Sequence, residues 1–242
     1  MEDLFRIENL GKYFGNKEVL KNIHLTIYRG EIFAFIGPSG VGKTTLLRIF
    51  NFLEMPTSGR LIFDGNEYAI HQKNSIRRRM SMLFQRPGVF NTSVFNNVAY
   101  GLIIRSVDKK TIGKKVTDAL NLVGLSGYEK QKASTLSGGE AQRMAFARAI
   151  VYQPDILLLD EPTANLDPAH VAKIEDIIKQ IRSELGTTII MASHNINQVR
   201  RIADRVGILL NQELIEVNTK EQIFTHPNDT RSSAFINGDF IY

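Results

Sequence analysis

Apolar and polar positions alternate with period two over residues 4–10 and, more loosely, over 19–28, which predicts two strands each half-buried on one face. Residues 31–36 then hold the unbroken apolar run Ile32-Phe33-Ala34-Phe35-Ile36, the pattern of a strand covered on both faces. That run leads straight into a glycine-rich turn, and residues 44–52 follow with helical spacing. Residues 60–63, followed by Asp64-Gly65, predict a strand entering a tight turn, and residues 80–84 predict another short strand. From about residue 88 to 135 the texture changes. Gly and Asn punctuate it, residues 114–123 have helical spacing, and the segment reads as a mainly helical lobe inserted into an α/β core. Beyond it, helices over 141–152, 168–185 and 196–203 alternate with strands over 156–159, 187–192 and 206–210. Apolar strands alternating with amphipathic helices predict an α/β fold, a parallel sheet covered on both faces. The tail after about residue 221 carries little signal.

Composition narrows the picture. The chain has 242 residues, 43% hydrophobic and 23% charged, enough to bury a sizeable core as one domain and too apolar for disorder. There is no Cys, which excludes a disulfide framework and a thiolate metal site. The formal charge of +5 permits contact with phosphates, a membrane surface or nucleic acid, and selects none of them. Residues 1–6 are acidic and lack an apolar run, so no signal peptide is expected there. The longest uncharged stretch, 87–104, is too polar to span a membrane, so a soluble chain reaching any membrane through a partner is expected.

The glycine-rich turn, Gly37-Pro38-Ser39-Gly40-Val41-Gly42-Lys43-Thr44, fits G-x-x-x-x-G-K-[ST] at every fixed position, with a strand before it and a helix after it. Glycines let successive backbone N–H groups turn inward on a polyphosphate, and the helix N-terminus adds its positive dipole end. Lys43 can reach the terminal phosphates and the Thr44 hydroxyl can ligate Mg²⁺. The turn alone means a nucleotide-binding P-loop, and leaves kinases, GTPases and motor ATPases open. Ile156-Leu157-Leu158-Leu159-Asp160-Glu161 puts two carboxylates at the end of an apolar strand, the ligand edge of a parallel sheet. Asp160 is placed to hold Mg²⁺, and Glu161 is free to polarise an attacking water. Leu136-Ser137-Gly138-Gly139-Glu140 precedes a helix of small and apolar residues. Ser137 can cap that helix, and the glycines bare its first N–H groups. This makes a second anion site in a chain with one P-loop, most economically one that serves the nucleotide of another copy.

Here the chain resembles the ATP-binding-cassette (ABC) ATPases, whose LSGG-E-x-Q signature is rare elsewhere. The other marks follow in family order over residues 5–217. Lys12-Tyr13-Phe14-Gly15 resembles the adenine-stacking loop, Gln85 the Q-loop glutamine, Ala164-Asn165-Leu166-Asp167 the D-loop, and Ser193-His194-Asn195 the switch-histidine loop. The resemblance implies a RecA-like P-loop NTPase core with a mainly parallel sheet, an N-terminal antiparallel β subdomain and an inserted α-helical subdomain. It implies one domain over 1–242, with the core and β subdomain in 1–87 and 137–242 and the helical subdomain in 88–136. ATP would lie on Phe14, Gly37, Pro38, Ser39, Gly40, Val41, Gly42, Lys43, Thr44 and Thr45 of one copy. The signature residues Ser137, Gly138 and Gly139 of a second copy would cover it, with Glu140, Gln142 and Asp167 also at the nucleotide. Thr44, Gln85 and Asp160 would hold Mg²⁺. Glu161, His194 and Gln85 would be catalytic: the first activates water, the second contacts the γ-phosphate, and Gln85 relays its presence to the helical lobe.

The implied partners are a second identical cassette, transmembrane permease subunits and, through the complex, a solute-binding protein. The implied place is the cytoplasmic face of the cell membrane, with no nucleic acid. Phe90-Asn91-Thr92-Ser93-Val94-Phe95-Asn96-Asn97-Val98-Ala99-Tyr100-Gly101-Leu102 is similar to the run after the Q-loop in phosphate and tungstate importer ATPases. The reading therefore leans to an oxyanion importer, tungstate or molybdate first. A lipid-trafficking or export cassette is the alternative. A binding module without turnover is disfavoured by intact Glu161, His194 and Ser137.

Overall fold

The period-two segments at the start pair as a long hairpin. In the computed structural model, which describes residues 2–67, 73–164 and 166–239, β1 (Asp3–Phe14) runs antiparallel to β2 (Lys17–Tyr28). On its other side β1 pairs antiparallel with β4 (Ser58–Phe63), which turns through Asp64-Gly65 into the short β5 (Asn66–Glu67). This is the expected antiparallel N-terminal sheet. At the tip β1 runs on from its expected end at Leu10 to Phe14, across register shifts, and β2 starts at Lys17 rather than Val19.

The second sheet has the order β10-β9-β3-β8-β7-β6. It comprises β3 (Ile32–Ile36), β6 (Met80–Leu83), β7 (Ile156–Asp160), β8 (Thr188–Ala192), β9 (Arg205–Leu210) and β10 (Glu213–Thr219). All neighbours pair in parallel except β10, which returns antiparallel to β9. β3, β7 and β8 are buried at every position, as continuous apolar runs in a two-face-covered sheet require. The α/β class and the P-loop architecture are therefore as expected.

The face of this sheet toward the hairpin is filled by aromatic rings. Phe5 meets Phe50 and Phe63 at centroid distances of 4.9 Å, and Phe33 meets Phe35 at the same distance. Phe50 closes α1 (Lys43–Phe50), the helix that leaves the P-loop, so the core grips that helix directly. The short α2 (Lys73–Arg77) precedes β6. The other face is covered by α3 (Val94–Ile103), α4 (Lys109–Leu122), α5 (Gly138–Ile150), α6 (Pro168–Leu185) and α7 (Ile196–Ile202). The helix after Ser137, grouped with the core in the expected division, packs on α3 and α4 as well as on β6.

Local caps explain where the expected spans shift. Asp108 accepts from Thr111 N at 2.9 Å, which starts α4 at Lys109, five residues earlier than the apolar spacing alone suggests. Ser137 caps α5, which moves its start back to Gly138. The tail forms α8 (Lys220–Thr225) and α9 (Thr230–Asn237). Glu216 of β10 clasps them, its buried carboxylate accepting from Asn228 N at 2.8 Å and Asp229 N at 3.2 Å. No helix among the described residues is long and apolar enough to cross a membrane.

Candidate nucleotide site

Parallel pairing brings the carboxyl ends of β3, β6, β7 and β8 to one edge of the sheet. The P-loop follows β3, Gln85 follows β6, Asp160 and Glu161 end β7, and Ser193-His194 follow β8. That edge is where open α/β sheets bind ligands.

The P-loop is held from below. Gly42, at φ 115, is the N-cap of α1, and a Cβ there would stand 2.8 Å from Val19 O of β2. Only glycine combines that backbone with so close an approach. Val41 is buried in the apolar core, so it can offer a phosphate only its backbone. Lys43 donates to Gly37 O at 2.7 Å and Pro38 O at 2.9 Å, bridging the loop across its mouth. Burial lowers the Lys43 pKa from the ordinary lysine range, and the nearby charges of Glu161 and Asp160 oppose that shift. A cleft of about 900 Å³ opens beside Gly37, Pro38, Ser39 and Gly40 and reaches His194.

The expected metal side pairs Thr44, in the first turn of α1, with Asp160, which ends β7. The Thr44 hydroxyl donates to Asp160 Oδ1 at 2.9 Å. Burial raises the Asp160 pKa, and the Thr44 hydrogen bond partly offsets this. Two convergent oxygen donors beside a phosphate loop suit a hard cation that takes its remaining ligands from phosphate and water, so the residues fit Mg²⁺. Among the described residues no cluster of three or more His, Cys, Asp or Glu could hold a metal ion. When bound, the ion neutralises charge on the phosphate oxygens. Gln85 lies on the same edge, exposed and without a hydrogen-bond partner among the described residues, so it is not joined to Thr44 or Asp160 here.

Glu161 departs from the strand in a left-handed turn, at φ 50, while its N–H still donates to Ala192 O at 3.0 Å. That backbone is costly for a non-glycine residue, and such strain gathers at functional sites. The turn carries the carboxylate to the switch loop, where Oε2 meets His194 Nδ1 at 2.8 Å and the His194 N–H at 3.3 Å.

The second anion site is built as a reciprocal cap. Ser137 Oγ accepts from Glu140 N at 3.3 Å, and Ser137 N donates to Glu140 Oε2 at 2.8 Å. Tyr128 OH also donates to Glu140, at 2.9 Å. These bonds, the Ser137 backbone first, hold the Glu140 carboxyl below its ordinary pKa. No hydrogen bond among the described residues joins Ser137, Gly138 or Gly139 to the P-loop, and none of the three lines the cleft beside it. The two expected anion-binding turns of this chain therefore carry no hydrogen bond to each other among the described residues.

Residues 20–164 match the family described as ABC transporter. The chain is 44% identical over 241 residues to the phosphate import ATP-binding protein PstB 2 of Natronomonas pharaonis, covering 95% of this chain and 84% of that one. It is 38% identical over 250 residues to a probable anion import ATP-binding protein of Haloferax volcanii, covering 97% and 86%. The methionine import ATP-binding protein MetN of Escherichia coli O157:H7 is also 38% identical, over 241 residues, covering 96% and 70%. Among solved structures, cbiO1 of Clostridium perfringens, part of the ABC transporter complex cbiONQ, superposes with TM-score 0.88 at 32% identity, covering 97% and 95%. The dimeric ATP-binding cassette MJ0796, in a post-hydrolysis state with ADP and Pi, superposes with TM-score 0.80 at 30% identity, covering 90% and 99%.

This chain belongs to the ABC transporter family.

As an ABC ATPase it ties several of its marks into the fold. Asp167 of the D-loop is spent as the N-cap of α6, accepting from Ala169 N at 3.0 Å and His170 N at 3.1 Å; Asn165 of that loop lies outside the described residues. Gln142 is buried, and its amide donates to Pro162 O at 2.7 Å, so it acts as a strut from the signature helix to the loop after Glu161. Phe14 is exposed at the hairpin tip with Lys12 Nζ 4.6 Å from its ring centroid, which leaves an aromatic face for a base. The neighbouring Tyr13 is tied to Glu18 through its hydroxyl at 2.6 Å. Thr45 sits half-buried behind Thr44.

The cassette also has a contact that the motifs did not announce. The His170 ring, hydrogen-bonded to Asp167, rests against Gly139, where a Cβ would come within 2.1 Å of Cδ2. His170 falls in no motif, so only the three-dimensional approach of α6 to α5 reveals it.

Proposed function

We propose that this chain is the energy-coupling ATPase subunit of an importer for an oxyanion, with tungstate, molybdate and phosphate the solutes to test. The carrying observation is the pairing of Glu161 with His194 beside a P-loop whose Thr44 already meets Asp160. That arrangement supplies a base, an orienting imidazole and a metal-side oxygen pair around one phosphate position. Two copies assemble head to tail, each P-loop facing the signature turn of the other. Glu161 takes the proton of the attacking water, His194 holds the carboxylate and faces the γ-phosphate, and closure excludes bulk water. Asp167, Glu140 and Gln142 serve the nucleotide by shaping the turns that meet it, and Gln85 relays its state to α3 and α4. ATP binding favours the closed pair and hydrolysis releases it, a shift set by differential affinity for the two arrangements.

Permease subunits dock on the face where the helical lobe meets the core. A groove of about 480 Å³ there is lined by Leu53, Met82, Phe84 and Tyr152 and rimmed by Arg77, Arg78 and Arg105. Phe90, Tyr100, Ile103 and Ile104 extend the exposed apolar surface next to it. The assembly works at the cytoplasmic face of the membrane, fed by a solute-binding protein and without nucleic acid. The oxyanion reading is supported by the relatives named for phosphate and anion import.

A second reading, an amino acid as solute, is favoured by the methionine import relative. The deciding experiment co-purifies this chain with the permease encoded beside it. ATP turnover is then measured with binding protein loaded with tungstate, molybdate, phosphate, sulfate or methionine. Stimulation by one oxyanion supports the proposal. Stimulation by methionine replaces the solute, and turnover unmoved by every one of them leaves the lipid-trafficking or export alternative.

A further inference from the structure

The two residues that meet at the reaction centre sit on separate loops, Glu161 after β7 and His194 after β8. Loops at a sheet edge move independently unless something ties them. Behind this pair lies a side chain that the nucleotide chemistry does not use. Gln198, in the first turn of α7, is completely buried, with 0% exposure. Its Oε1 accepts from Thr163 Oγ1 at 3.1 Å and from Ser193 Oγ at 3.1 Å. Thr163 is two residues beyond Glu161, and Ser193 immediately precedes His194. Both hydroxyl-bearing residues are themselves buried. Ser193 Oγ in turn accepts from Asn195 N at 3.1 Å, and Asn195 caps α7 by accepting from Gln198 N at 3.0 Å. The ring of bonds therefore closes through the helix start.

The donor half of this amide, Nε2, is buried without a hydrogen-bond partner among the described residues. A buried amide that leaves its NH₂ unpaired costs about 1–3 kcal/mol, which a leucine of similar volume would avoid. Against that, its Oε1 serves two buried hydroxyls that a leucine would leave without this acceptor. What it does is share one acceptor between the two loops that bear the reacting pair.

We infer that Gln198 is a positioning residue for ATP hydrolysis, an amide bridge that holds the loops of Glu161 and His194 in register through Thr163 and Ser193. The inference rests on the proposed ATPase role of Glu161. It concerns turnover and not nucleotide capture, because none of the three bridging residues lies in the P-loop or the signature turn.

The test uses the full chain, with MgATP as substrate, and compares Gln198→Leu, Gln198→Glu, Thr163→Val and Ser193→Ala. Wild-type turnover that Glu161→Gln abolishes establishes the role on which the inference rests, separately from any Gln198 result. Gln198→Leu is expected to lower kcat by about 10- to 100-fold while KM for ATP stays within about twofold, the pattern of a contact that matters only in the transition state. Gln198→Glu keeps an acceptor for both hydroxyls and is expected to retain kcat within about threefold. Thr163→Val and Ser193→Ala each lower kcat, and the pair together costs no more than Gln198→Leu, since all three break one bridge. Wild-type kcat in Gln198→Leu overturns the inference, as does a loss of kcat matched by an equal loss of ATP affinity. Should Gln198→Leu fail to fold, the two hydroxyl variants decide: wild-type kcat in both overturns it.

Discussion

Glu161 Oε2 lies 2.8 Å from His194 Nδ1, so the carboxylate and the imidazole that end two neighbouring strands form one unit. Glu161 is the proposed base, and His194 is exposed beside the cleft that Gly37, Pro38, Ser39 and Gly40 line. Replacing Glu161 by Gln keeps the shape and removes the base. Turnover is expected to fall by about 10²- to 10³-fold with ATP affinity retained, as loss of a positioned general base commonly does. Steady-state kinetics together with nucleotide binding checks this, and an ATP-held dimer isolated by gel filtration should accumulate.

Gly139 tests the contact between the signature turn and α6. Helix propensity alone says that Gly139→Ala stabilises α5 by up to about 1 kcal/mol. The built Cβ, however, stands 2.1 Å from His170 Cδ2, and the ring is held by Asp167. Overpacking of that severity costs about 1–3 kcal/mol, so the collision outweighs the propensity. The thermal midpoint of Gly139→Ala should drop, and His170→Ala in the same chain should restore it.

Asp64 reports on pH. Its carboxylate accepts from Arg79 at 3.0 Å and from Arg29 at 2.6 Å, and these bonds, Arg79 first, hold its pKa below the ordinary aspartate value. A depressed folded pKa stabilises the protein above the unfolded value, near pH 4, and that stability is lost as pH falls through the folded pKa. Asp64→Asn keeps the left-handed turn at φ 53, which Asn tolerates. It should cost about 1 kcal/mol at pH 7 after allowance for solvent screening, and less at an acid pH below the ordinary aspartate value. Denaturant melts at the two pH values give the comparison.

Much of the fold is legible because the buried strands are apolar throughout and the P-loop turn is bracketed by them. Where legibility fails, a polar residue has been turned inward. Asn97, one of the polar residues that punctuate the lobe, is wholly buried, donating to Phe90 O and Ser93 O and accepting from Phe90 N. Glu216 interrupts the apolar alternation of β10 for the same reason, since it clasps the tail, and so β10, α8 and α9 leave no clear periodic signal. Within the site, the P-loop, Asp160 and Glu161 are readable from residue type and spacing. Gln142 is readable only as part of a motif, and its strut to Pro162 O depends on how α5 meets the end of β7. His170 and Gln198 act through contacts between elements distant in sequence, which no spacing rule encodes.

In the proposed dimer each nucleotide is enclosed by the P-loop of one copy and the signature turn of another. Lys43→Ala disables the first end and Ser137→Arg the second, so each variant alone should be inactive. Mixed in equal amounts, half the dimers are mixed and each contains one whole site, so ATP turnover should return to about a quarter of wild type. Turnover of that size on mixing is the result this account predicts, and a mixture as inactive as its parts would contradict it.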